Sequence, residues 1–313
     1  MIQGSQRRVR RGSVSQAWDS VSFLSVLGLV SLSLWASVFI LSFSSAAQQP
    51  PPAPPASGAR ILLLPRRIVA GEHTTLAVLD VNGRLTPGVT VTLSSGDRVT
   101  TDSTGRARFV APLAPGVLLG ALEGRPGQVP SRIVSPADAP SEQIRVQSVP
   151  RYAALGDRFE ISGTGFCGDA DANQVTIAER SALVLASSPA SLVLLPPEVL
   201  AAGPATVKVA CGRRAAPTIS MTFVSLGLSD TSSTLAPGER RDLLVHIRGT
   251  SEHLIIEARN LAPDIADLTG GNPVRVTSTG GPENSARLEV VGRTRGSFLI
   301  SIRLLSPLTS PRP

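Results

Sequence analysis

From residue 60 onward the chain is written in apolar runs of roughly 4–8 residues, each broken by Gly, Pro, Asn or Asp. No stretch there carries a long 3.6-residue periodicity closed by caps, and residues 196–202 are the one place that reads as a single helical turn. Parallel α/β folds require crossover helices, so this texture excludes a Rossmann or barrel enzyme and leaves an all-β chain. The 28 Gly and 26 Pro among 313 residues fall mostly at the breaks, where they act as turn residues rather than as marks of disorder.

The other constraining feature lies at the start. Residues 20–59 contain no charged side chain, and 21–43 form a nearly continuous apolar run diluted only by serine and glycine. Arg7, Arg8, Arg10 and Arg11 precede it, which puts positive charge on the side retained in the cytoplasm. Residues 1–47 therefore read as an export segment. As a helix, its 23 apolar-run residues would reach roughly 34 Å, enough to cross a bilayer core. Ser44-x-Ala46 and Ser45-x-Ala47 offer cleavage sites, so a cleaved signal peptide and a retained signal anchor both stay open. Residues 48–57 (QQPPPAPPAS) read as a stiff polyproline linker. Either fate places residues 48–313 beyond the cytoplasmic membrane, in the periplasm, on the surface or outside the cell.

The formal net charge of +7 and a pI near 10.9 resemble those of a nucleic-acid binder until the charges are located. Lys208 is the single lysine among 30 basic residues, and after residue 47 there are 26 basic against 22 acidic side chains. The arginines are scattered and do not alternate with aromatics, whereas a phosphate-tracking surface needs clustered charge. No nucleic-acid partner is expected, and the membrane is expected to be met only through the N-terminal segment.

Three blocks of similar length follow the linker. In the first, 58–137, candidate strands are 75–79, 89–93, 106–110 and 117–122, and Asn82-Gly83 signals a hairpin through a type I′ turn. Asp80-Val81-Asn82-Gly83, Pro87-Gly88-Val89-x-Val91 and Thr101-Asp102-x-x-Gly105 resemble the turn chemistry of bacterial Ig-like repeats of invasin/intimin type and of carboxypeptidase-regulatory-like domains. That resemblance implies a structural or adhesive module without catalytic residues.

In the second block, 143–225, Gly156-Asp157-Arg158-Phe159-Glu160-Ile161-Ser162-Gly163-Thr164-Gly165-Phe166 resembles the opening of an IPT/TIG domain. Asn173-Gln174-Val175-Thr176-Ile177 and Ala202-Gly203-Pro204-Ala205-Thr206-Val207-Lys208-Val209 are similar to that family's later strands. Phe159 and Ile161 should point inward, Gly163 and Gly165 should permit a bend, and Phe166 should plug the end of the core. The third block, 226–305, alternates as Leu243/Val245/Ile247, Leu254/Ile256/Ala258, Val274/Val276, Leu288/Val290 and Phe298/Ile300/Ile302/Leu304. The expected architecture is therefore tandem immunoglobulin-like β-sandwiches, with 306–313 a short tail.

Cys167 and Cys211 are the only cysteines, both in the second block and the latter on the core-facing parity of Val207-x-Val209-x-Cys211. In an exported chain such a pair reads as a structural disulfide. The alternatives lack company: zinc wants four ligands and no histidine lies nearby in sequence, and a thiol nucleophile needs a base and a reducing compartment. His73, His246 and His253 read as surface or strand-end residues. Asp169-x-Asp171-x-Asn173 has the start of a calcium loop, but Gln174 stands where Gly is required and Arg180 where Glu is required, so a polar loop is the better reading. No nucleophile elbow, HExxH or GxxxxGK[ST] occurs.

No catalytic residue, cofactor site, metal site or small-molecule substrate is expected. The leading function is an exported, non-enzymatic protein of the envelope or exterior, whose domains bind a protein or polysaccharide, adhere, or space. The alternative is an accessory binding part of an exported hydrolytic system. A DNA-binding regulator, known among IPT/TIG proteins, is opposed by the export segment and the cysteine pair.

Overall fold

The structure, a computed structural model, describes residues 60–139, 142–229 and 235–306 and the backbone of 308–309. The export segment and most of the proline-rich linker lie outside the described residues. Among the described residues the chain is all-β. The helical content is two single 3-10 turns, Pro136–Asp138 and Ala170–Ala172, and no helix is long and apolar enough to cross a membrane. Residues 196–202 form bends rather than the expected helical turn: Pro196 and Pro197 supply no backbone donors, and Gly203 already opens a strand.

The first block is a sandwich of two sheets. Ile61–Leu63, His73–Leu79 and Arg106–Val110 form one; Arg67–Val69, Val129–Val134, Gly116–Leu122, Thr90–Leu93 and Arg98–Thr100 form the other. The opening segment serves both sheets. Ile61–Leu63 runs antiparallel to His73–Leu79, then the chain crosses through Leu64, Pro65 and Arg66 so that Arg67–Val69 lies parallel to Val129–Val134. Leu76, Val78, Val91, Leu118 and Phe109 meet between the sheets.

The hairpin at Asn82-Gly83 forms, but not as a type I′ turn. Only Gly83 has positive φ, at 78°. Gly83 N donates to Asp80 O, Asp80 N donates to Arg84 O, and the Asp80 carboxylate accepts from the amides of Asn82 and Arg84. An aspartate-capped turn with glycine in the left-handed position explains the pattern, and Asp102 with Gly105 repeats it. A hairpin with both central residues at positive φ occurs instead at Ala178 and Glu179, where no glycine advertises it.

The second block repeats the plan. Arg145–Pro150 lies antiparallel on Phe159–Thr164, and Tyr152–Ala154 then lies parallel on Ile219–Leu228. One sheet continues through Ser191–Leu195 and Leu183–Ser188; the other holds Arg180–Ser181, Asn173–Ile177, Gly203–Cys211 and Ile219–Leu228. Phe159 and Ile161 point into the core, where Phe159 meets Phe223 edge to face at 5.7 Å. Gly165 sits at φ 78°, a Cβ on Gly163 would stand 2.1 Å from Arg145 O, and Phe166 is buried at the end of the core.

Ile219–Leu228 runs unbroken into the third block. Its first half pairs with Gly203–Cys211 and its last four residues with Arg240–Arg248. Ile219, Met221 and Phe223 enter the second core, while Val224, Leu226 and Leu228 turn to the third. One strand thus serves two cores with opposite faces. Beyond Arg240–Arg248 follow Ser285–Gly292 and Ala266–Leu268; the facing sheet is Val274–Thr277, Ile255–Asn260 and Ile300–Leu305. The chain then carries Leu308–Thr309 back to Arg145–Pro150 of the second block.

Candidate functional site

The junction of the first two blocks is built on the loop 166–173. Asn173 holds it from within: its Oδ1 accepts from Cys167 N at 2.9 Å, and its Nδ2 donates to Cys167 O, Asp169 O and Ser187 Oγ. Asp169 caps the turn Ala170–Ala172 by accepting from Asp171 N. Cys167 is joined to Cys211 by a disulfide with Cα atoms 5.8 Å apart, tying the loop to the strand Gly203–Cys211.

That loop docks on the first block. Gly168 O accepts from Thr75 Oγ1 at 2.8 Å, and a Cβ at Gly168 would collide with His73 O at 1.9 Å, so only glycine permits the approach. Arg108 pairs with Asp169 at 2.8 Å. Arg106, buried, pairs with Asp171 at 3.1 Å and donates to Val184 O and Leu185 O. The two carboxylates with calcium-like spacing are therefore engaged by two arginines spaced alike, and no cluster of three or more metal-binding side chains occurs among the described residues. Leu63, Ala77 and Leu79 pack on Leu185, Ala186 and Val193 beside these pairs, and Thr75 pairs with Ser187 so that a sheet of the first block continues edge to edge into one of the second.

Beside the loop lies a cleft of about 730 Å³, bordered by Glu72, His73 and Arg108 on one side and by Cys167, Asp169 and Arg214 on the other. Arg214 Nη2 approaches Cys211 Sγ at 3.2 Å. Charges of both signs line it, its one aromatic neighbour, Phe166, is buried, and its sulfur is oxidised. Such a cleft can bind; among its described lining residues no nucleophile is held by a base. Of the histidines, His246 is exposed between buried Val245 and Ile247, His73 is exposed at a strand start, and His253 Nδ1 lies 2.8 Å from Ser278 O.

A second cleft, of about 510 Å³, lies where the third block meets the other two. Leu226, Leu228, Ile300 and Ile302 line it, with Arg158 and Arg303 at the rim and the hairpin tip at Asn82 above. Burial lowers the pKa of Arg158 against the opposing effect of Asp157, 3.5 Å away, and the nearby Arg303 lowers it further. A smaller recess shares Arg158 and reaches Glu160, whose pKa burial raises even though Arg66 donates to it from its backbone at 2.7 Å and from Nε at 3.3 Å.

Sequence reading named the cysteine pair but missed Arg106, Arg108 and Thr75 as docking residues, and missed the second cleft altogether. A signal existed for the first group: Arg106 and Arg108, two apart on the face opposite Ala107 and Phe109, match Asp169 and Asp171, also two apart.

No family model matches this chain, and no curated protein matches it. Among solved structures it is similar to SGBP-B of the Bacteroides ovatus mixed-linkage glucan utilization locus, solved with a mixed-linkage heptasaccharide, at 12% identity and TM-score 0.32 over 79% of this chain and 73% of that one. It is also similar to domains 1–6 of the surface layer protein SbsC, at 11% identity and TM-score 0.20, over 81% of this chain and 40% of that one. Domains 1 to 8 of the plexin A4 extracellular region align at 11% identity and TM-score 0.29, over 82% of this chain and 33% of that one. No functional residue carries over from these likenesses; the chain is an all-β protein of tandem immunoglobulin-like sandwiches.

Proposed function

We propose that this chain is an exported, non-catalytic binding or spacing protein of the cell envelope or exterior. In this reading 58–137 and 226–305 are Ig-like domains, 143–225 is an IPT/TIG-type domain, and the membrane is met only through residues 21–43. The observation that carries it is the way the blocks are locked into one body: a strand shared without a linker between the second and third, and a buried arginine with paired aspartates between the first and second. Such a body holds surfaces at fixed spacing. The Cys167–Cys211 disulfide supports an oxidising compartment.

The partner is a protein rather than a polysaccharide or nucleic acid. Sugar rings are gripped by exposed aromatic faces, yet both tryptophans, Trp18 and Trp35, lie before residue 47. Among the described aromatic residues Tyr152, Phe109, Phe159, Phe166 and Phe223 are buried and Phe298, packed on the third core, is half-buried. Many arginines are spent on carboxylates across strands, as in Arg275 with Glu257 and Arg240 with Glu289, which leaves no basic track for phosphates among the described residues.

Fractionating cells and weighing the native protein with and without reductant tests the reading. The expected product is in the exported or membrane fraction and gains mass on alkylation only after reduction. A cytosolic product with two free thiols contradicts it.

A further inference from the structure

Among the described residues the third block shows no strand in the place of the one that closes the other two. In the first block Gly116–Leu122 is flanked by Val129–Val134, and in the second Gly203–Cys211 is flanked by Ile219–Leu228. The corresponding strand of the third block, Ile300–Leu305, pairs with Ile255–Asn260 on one side and with no described strand on the other. The next strand, Leu308–Thr309, lies on the second block. In the facing sheet Tyr152–Ala154 pairs only as far as Val224, so residues 225–228 meet Arg240–Arg248 on one edge and no described strand on the other. Among the described residues both sheets thus lack a strand neighbour along the same side, up to the point where Tyr152 N donates to Ser306 Oγ at 2.9 Å, and the 510 Å³ cleft lies there.

We propose that this seam takes up an extended segment of a partner protein, apolar at alternate positions and carrying a carboxylate, as an added strand on Ile300–Leu305. An added strand would satisfy the edge N–H and C=O groups, and every second side chain would enter the cleft over Leu226, Leu228, Ile300 and Ile302. The rim sets the charge. Arg303 makes no ion pair among the described residues, because Glu257, opposite it in register, is held by Arg275 at 3.0 Å. Arg158 has Asp157 alone, at 3.5 Å. Two copies of this edge would bring arginines against their own kind, which disfavours self-pairing. The inference rests on the chain being a binding protein and names the chemistry of its partner.

The probe is a fluorescent seven-residue peptide alternating Thr with Val and carrying one Glu, titrated against the full-length protein in mild detergent. Saturable binding is expected, with slowed amide exchange at 300–305. Affinity should fall about tenfold when Lys replaces the Glu or when the Val residues are made contiguous. Arg303→Glu should reverse the charge preference while leaving the melting temperature unchanged. Absence of saturable binding, indifference to Arg303→Glu, or unchanged exchange at 300–305 would overturn the proposal. So would self-association of the protein that Arg303→Glu abolishes, because a second copy would then be the occupant. A cytosolic location with reduced cysteines would defeat the export reading without altering any of these results.

Discussion

The second and third blocks are drawn with the same alternation, yet among the described residues one is closed by a neighbouring strand and the other is not. In Gly203–Cys211, Val207, paired with Ile219 of the next strand, is 0% exposed. In Ile300–Leu305, Ile300, Ile302 and Leu304 point to their core with equal regularity and stay only half-buried. Alternation decides which face a side chain takes; a neighbouring strand decides whether that face is dry. The disulfide widens the contrast, since it lies wholly in the closed block.

The largest expected effect comes from removing that disulfide. Cys167→Ala with Cys211→Ala should cost the second block about 4 kcal/mol in the chain-entropy model for its 44-residue separation, measured by urea denaturation. A loss near zero would mean that packing alone separates the two blocks. Leu118→Ala, at an equivalent position in the closed first block, should cost about 3 kcal/mol, and Ile302→Ala about 1 kcal/mol or less because water already reaches its site. Equal losses would erase the distinction between closed and open seams.

A subtler effect concerns Glu160. Its folded pKa lies above its ordinary value of 4.5, so the folded state binds its proton more tightly than the unfolded chain does. Stability from this group is therefore fullest below the ordinary value and is lost as pH rises through the raised one. Glu160→Gln should flatten that part of the profile in denaturation series at stepped pH; an unchanged profile removes Glu160 as its source. The smallest effect is expected at Ala178 and Glu179, both at positive φ. Ala178→Asn with Glu179→Gly should stabilise the second block by about 0.5–1 kcal/mol, less whatever the exposed Lys208 pair with Glu179 contributes.

Much of this was legible in the residues. Glycines and prolines marked the turns, Phe159, Ile161 and Phe166 announced the second core, and exposed His246 fell on the outer parity. The fused junction was harder to read, although the segment Ile219-Ser220-Met221-Thr222-Phe223-Val224-Ser225-Leu226-Gly227-Leu228 does switch its apolar parity at Phe223 and Val224. Alternation within each half looks ordinary, and only the phase change reveals one strand serving two cores. The open seam was not legible at all. Phe298, Ile300, Ile302 and Leu304 spell a buried face, and no local pattern states that the following strand departs to another block.

The contrast between closed and open blocks is tested most directly by native-state amide exchange, read segment by segment. Residues 116–122 and 203–211 should be protected to near the global unfolding free energy, while 300–305 should exchange faster by orders of magnitude. Protection of 300–305 equal to that of the other two segments would show its edge already covered and would contradict the open third block.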